Sequence, residues 1–190
     1  PSEIVLCNPL ADEQSRLISQ YPGLYIAQHP RELVQETACF LVSLNLADYR
    51  PFLKEIEDLV KEHQVMLSLN PAMMLGDLER WLPCKIGKVL PILHDQSFLG
   101  TCLYATGSRM NEMEQLWLDQ LLSTISHPLR VKEGSMMAAY DLAHLPPQLL
   151  AKCIDMLIET AVQHHRLERK LARSVIKDVF PHALPSLDES

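Results

Sequence analysis

What the sequence has little of narrows its meaning first. Its five cysteines (Cys7, Cys39, Cys84, Cys102 and Cys153) are odd in number and far apart, with no Cys-x-x-Cys pair. This points to reduced, mostly buried thiols in a cytosolic protein. Seventeen basic residues stand against 24 acidic ones, for a net charge of −7, and they form no basic block. That balance argues against nucleic-acid binding. No apolar run is long enough to span a bilayer and no signal peptide is visible, so no membrane is expected. Aromatic residues make up only 6% of the chain, against 47% hydrophobic residues overall. A core of that size with so few rings suits helix-rich α/β packing better than a β-sandwich.

What is present alternates. Glu3–Cys7 reads as a strand stopped by Asn8-Pro9, and Asp12–Tyr21 as a helix stopped by Pro22-Gly23. Leu24–Ala27 reads as a short strand and Pro30–Glu36 as a helical turn or two. Cys39–Leu44 and Gln64–Leu69 are continuous apolar runs, the pattern of strands buried on both faces. Between them Asp48–His63 is amphipathic, with Phe52, Ile56, Leu59 and Val60 on one stripe. Met74–Trp81 is a short helix, and Lys85–Leu90 is a strand that Pro91 is expected to stop. Gly100–Ala105 is a strand, Asn111–Ser126 a helix, and His127–Val131 extended. The alternation predicts an α/β fold of Rossmann type, a doubly wound and mostly parallel sheet, over residues 1–133. From residue 134 to 190 the period becomes helical only, with Pro146-Pro147 expected to interrupt it and Leu149–Arg169 to follow. There Leu150, Ile154, Leu157, Ile158 and Ala161 share a face.

The order of these elements resembles the pyrroline-5-carboxylate reductase (ProC-like) family. The residues that carry the resemblance are IVLCNP (4–9), FLVSLNLADYRPFL (40–53), VMLSLNPA (65–72), LERWLPCKIGKVLP (78–91), LGTCLYATG (99–107) and LLSTISHPLRV (121–131). It implies a Rossmann-type domain that binds NAD(P), followed by a helical domain that forms a homodimer with a partner copy. The family reaction reduces the C=N bond of a cyclic imino acid with hydride from NAD(P)H. The resemblance places the cofactor near Asn8, Asn45, Asn70 and Pro91. It places the substrate region at His144 and Leu145.

The sequence departs from the family at these places other than Asn70. The family opens with a strand and a Gly-rich turn that seats the pyrophosphate on a helix N-terminus. This chain has no such turn and begins at what corresponds to the second strand. The missing strand is central in the fold, and its loss would unpair two rows of backbone groups. The chain is therefore expected to be a piece of something longer. Asn8-Pro9 stands where NADP-using members offer an arginine. Leu44-Asn45-Leu46 replaces a Val-Lys-Pro, and Pro91-Ile92-Leu93 replaces a Pro-Asn-Thr whose side chains could hydrogen-bond. Leu142 to Gln148 replaces a Ser/Thr- and Gly-rich segment ending in Gly-Pro-Ala, and Pro146 removes an amide donor.

Other polar residues have plain readings. His144 could hold an anion when protonated, but it reads first as a surface residue. Adjacent His94 and Asp95 rarely orient each other as a catalytic pair needs. His164 and His165 point about 100° apart on a helix, which suits joint metal ligation poorly. Lys88 reads as structural, Cys84 and Cys102 as packing residues. The Met73-Met74 and Met136-Met137 pairs read as core filler, and the alternating charges from Arg166 to Arg173 as a solvated face. No residue is put forward as catalytic and none as a metal ligand. The expected protein is reductase-like, does not catalyse the family reaction as it stands, and acts through dimerisation or partner binding. The alternative is an NAD(P)H-dependent reductase of a cyclic imino acid or related C=N substrate.

Overall fold

The computed structural model describes residues 4–8, 10–21, 23–92 and 100–183. The chain divides into two compact units, Pro1–Tyr140 and Asp141–Ser190.

In the first unit β1 (Val5–Leu6), α1 (Ala11–Gln20), β2 (Tyr25–Ile26) and α2 (Pro30–Glu36) precede β3 (Cys39–Val42) and α3 (Leu46–Ile56). Then follow β4 (Val65–Ser68), α4 (Leu75–Trp81), β5 (Lys85–Ile92), β6 (Thr101–Thr106), α5 (Glu112–Ser123) and β7 (His127–Arg130). The strands form two sheets, a parallel pair β1-β2 and a five-stranded sheet in the order β3-β4-β5-β6-β7. Within the larger sheet β5 and β6 are antiparallel and every other pairing is parallel. This is the mostly parallel α/β architecture that the alternation predicts.

Both faces of the larger sheet are covered over its centre, at β4, β5 and β6, as continuous apolar strands require. On one face Val65, Leu67, Val89, Cys102 and Tyr104 pack with Met110, Leu118 and Leu122. Packing is tight at Gly87 on β5, where an added Cβ would stand 2.7 Å from Leu67 Cδ2 and 3.5 Å from Leu118 Cδ2. On the other face Tyr49 of α3 reaches the sheet, bonding Ser68 Oγ at 2.7 Å. Helix α5 starts with a full capping box, in which the Asn111 side chain accepts from the Glu114 amide and Glu114 accepts from the Asn111 amide.

Several expectations need correction. β3 is not buried on both faces. Leu41 is 59% exposed, because the cover α5 gives to Leu67 and Cys39 does not extend to it. Helix α3 ends at Ile56 rather than His63, and its buried residues are Tyr49, Leu53 and Ile56. The chain turns there so that Gln64 can donate from Nε2 to the carbonyls of Val34 and Thr37, both at 2.7 Å. Pro91 does not stop β5 but lies inside it, opposite Cys102. Gly107 N–H donates to Ile86 C=O at 2.8 Å, which makes Pro91–Cys102 a pair without ladder bonds and turns the proline nitrogen to the other edge. On that edge β4 pairs only as far as Lys88, so no ladder bond is lost.

The second unit holds most of α6 (Glu133–His165), together with α7 (Arg169–Ala183). Pro146-Pro147 do not interrupt α6. The two prolines are adjacent, and the long helical stretches on each side outlast the two lost backbone bonds. The helix ends instead at Arg166, which is left-handed at φ 52°, while Leu167 N–H donates back to Ala161 C=O at 3.1 Å. The expected shared face also divides, since Ile158 is buried and Leu157 is 58% exposed. Of the methionine pairs only Met136 is core, whereas Met74 and Met137 are about half exposed. Among the described residues no helix is long and apolar enough to cross a membrane.

Candidate functional site

Ligands of open α/β sheets bind beyond the carboxyl ends of parallel strands. The sequence candidates Asn8, Asn45 and Asn70 each follow such an end, after β1, β3 and β4. Their side chains, however, largely serve the chain itself. Asn8 Oδ1 accepts from Leu10 N–H at 2.9 Å, a turn that leads into α1. Asn70 is used at both ends, donating from Nδ2 to Leu44 C=O at 2.9 Å and accepting at Oδ1 from Ala72 N–H at 2.8 Å. It thereby ties the loop after β4 to the loop after β3. Asn45 is exposed and takes the N-cap position of α3 without a side-chain capping bond. Pro91 is part of β5, and the neighbouring Ile92 is fully buried.

Beneath these loops two polar clusters lie inside the fold. Tyr49 Oη lies 2.7 Å from Ser68 Oγ and donates toward Val42 C=O at 3.1 Å, joining the ends of β3 and β4. Burial raises the Tyr49 hydroxyl pKa above its ordinary value, with the bond to Ser68 working the other way. Lys88, 2% exposed, forms the second cluster. Its ammonium stands 2.8 Å from Glu133 Oε1 and 3.4 Å from Pro71 C=O. The same Glu133 oxygen accepts Leu75 N–H at 2.7 Å, at the first residue of α4. One carboxylate therefore neutralises the buried cation and also occupies an amide at a helix N-terminus, where an anionic ligand would otherwise be favoured.

Sequence reading identified Lys88 as structural but missed Glu133 as its partner, and missed the Tyr49–Ser68 pair. A serine inside the apolar run QVMLSL was the available signal, since a buried hydroxyl demands a bonding partner. The substrate-region candidates His144 and Leu145 run in α6, and their side chains lie outside the described residues. Pro9, Leu93, His94 and Asp95 are likewise outside them. His164 and His165 are exposed at the end of α6, and among the described residues no three His, Cys, Asp or Glu side chains converge as a metal site. The thiols of Cys39, Cys84 and Cys102 are pushed up to about 11 by burial, which suits packing rather than nucleophilic roles.

The mostly parallel strands, the helices between them and the strand-end loops define the class, an α/β fold of Rossmann type. Pyrroline-5-carboxylate reductase from Coxiella burnetii superposes with a TM-score of 0.80 at 14% identity, over 98% of this chain and 71% of that one. Pyrroline carboxylate reductase from Plasmodium falciparum, solved with NADP bound, gives 0.75 at 16% identity over 98% and 68%. An imine reductase variant from Myxococcus stipitatus, in complex with NAD+, gives 0.69 at 12% identity over 95% and 64%.

In sequence, the chain is similar to ComE operon protein 4 of Bacillus subtilis (strain 168), 20% identical over 180 residues. That match covers 95% of this chain and 66% of the relative, so the chain spans just under two thirds of the relative's length. No family model matches. The resemblance to pyrroline-5-carboxylate reductases read from the sequence is thus borne out, and the fold is reductase-like.

Proposed function

We infer that this chain is a pyrroline-5-carboxylate-reductase-like protein that does not carry out hydride transfer as it stands and acts through self-association or a protein partner. One observation carries the reading. The polar groups beneath the candidate strand ends are consumed internally, with Asn70 bonded at both ends and Lys88 neutralised by Glu133. A dinucleotide needs free amides and donors at these loops. The five described cysteines are all unpaired, in keeping with work in a reducing cytosol.

The test is titration of the purified chain with NADH and with NADPH, with intact mass measured on the same sample. No saturable binding is the expected result. Saturable binding followed by reduction of a cyclic imine would establish the second reading, an NAD(P)H-dependent C=N reductase. That reading draws on the NADP- and NAD+-bound neighbours.

Exposed apolar residues of α6 support it as the surface of self-association. Leu142, Leu149 and Met156 are exposed by 60% or more and recur every seven residues, the spacing of a helix-to-helix seam. Leu157 lies beside them and is 58% exposed. Replacing Leu157 by Glu is expected to shift the protein from dimer to monomer in light scattering. A dimer that persists at unchanged strength would remove α6 as the interface.

A further inference from the structure

Helix α7 and the turn before it concentrate positive charge in a chain that is otherwise acidic. Between Arg166 and Lys177 stand five basic residues, Arg166, Arg169, Lys170, Arg173 and Lys177, and one acidic residue, Glu168, for a net of +4. The rest of the chain then holds 12 basic and 23 acidic residues, a net of −11.

The charges of α7 do not alternate around the helix, as the sequence reading of a solvated face would have them. At about 100° per residue, Arg169, Arg173, Lys177 and Lys170 fall within about 100° of arc. An open cavity of about 580 Å³ is lined by these four cations together with Ser174 and Glu168. Arg169 is held there by Glu159 of α6, at 2.6 Å. Among the described residues no carboxylate pairs with Lys170, Arg173 or Lys177, although the chain has 24 acidic residues to draw on. Like charges three and four residues apart weaken a helix, so this stripe works against α7 unless an anion lies along it.

The choice of anion follows from what surrounds the stripe. A bilayer surface needs a broad apolar face beside the cations. On α7 only Leu171 and Val175 are exposed large apolar residues among those described, and Asp178 shares their side of the helix. A long nucleic acid would run on from the stripe across a surface of net negative charge. A short acidic segment meets neither obstacle. From Arg169 to Lys177 the stripe covers on the order of 12 Å of helix axis, a little over two turns. A helical segment with a carboxylate on each turn repeats at the same spacing.

We propose that the cationic face of α7 docks an acidic helical segment of a protein partner, its carboxylates meeting Lys170, Arg173 and Lys177. This gives a chemistry to the protein partner of the reading above and rests on that reading. Opposite net charges would also steer the encounter.

The probe is a fluorescein-labelled, amidated peptide of alanine and glutamine with a glutamate at every fourth position, titrated into the purified chain. A saturable rise in anisotropy is expected, with affinity falling about tenfold or more between about 0.05 and 0.3 M salt. The double variant Arg173→Glu with Lys177→Glu should lose binding about tenfold or more. Its circular dichroism should be unchanged; should it change, Arg173→Gln with Lys177→Gln is expected to show the loss with the fold kept. The exposed pair Lys54→Glu with Lys61→Glu makes the same change in net charge elsewhere and should leave binding within about twofold.

No saturable binding, equal loss in both double variants, or equal affinity for a peptide with the same glutamates scrambled around the helix would each overturn the proposal. Tighter binding to a single-stranded oligonucleotide or to phosphatidylserine vesicles would assign the stripe to another kind of partner and overturn it as well. So would self-association of the chain alone that Arg173→Glu with Lys177→Glu abolishes, because the occupant would then be a second copy. NADPH binding by the chain would sink the non-catalytic reading, while the peptide titration would still decide the stripe.

Discussion

Replacing Glu133 by alanine is expected to cost about 3–5 kcal/mol of folding stability, read as a lower urea midpoint at unchanged slope. The loss comes mainly from what remains. The Lys88 side chain is 3% exposed and would be left in the interior without a counter-ion. Leu75 N–H would lose its acceptor as well. The double replacement Lys88→Met with Glu133→Leu should recover most of the loss, since an apolar pair of similar volume removes the desolvation cost from both sides. If Glu133→Ala alone proves near neutral, the buried pair is not holding α4, β5 and the start of α6 together.

Leu118→Ala is expected to cost about 3 kcal/mol, whereas Leu116→Ala on the same helix should stay within about 0.5 kcal/mol. Leu118 is fully buried in the cluster under α5, close to Gly87. Leu116 is 58% exposed. The cavity left at position 118 is bordered by β-strand residues such as Leu67 and Val89, which are held by ladder bonds and cannot collapse into it. Paired urea titrations would measure the contrast. Equal costs would mean that the outer side of α5 is covered in solution.

The two residues also show where the sequence was legible. Met113, Leu116, Leu118 and Leu121 all read as apolar positions of one helix, and the helix forms. Which side faces the sheet is settled by β4 and β5, and no period within α5 carries that information. The parallel strands were legible because a run such as VMLS, buried throughout, has few other uses. Pro91 was misread because a proline's tolerance in a strand depends on how far the neighbouring strand extends, a long-range fact. The prolines of α6 were misread in the same way, their local cost being outweighed by the helix on both sides. The three candidate asparagines do follow strand ends. Whether their amides remained free depended on carbonyls as distant as Leu44 from Asn70, and the Lys88–Glu133 pairing spans still more of the chain.

The mixed direction of the larger sheet bears on how the chain acquires its structure. β5 and β6 are consecutive and antiparallel, and β7 returns beside β6 after a single helix. These contacts join residues close in sequence and can form early. β3 and β4 reach the sheet only through helical crossovers, so their loops must close before any pairing is gained. β1 and β2 pair through only two residues each. Folding should therefore run from the β5–β7 end of the sheet toward β3. The strands carrying the candidate site would then be laid down on a base that already exists.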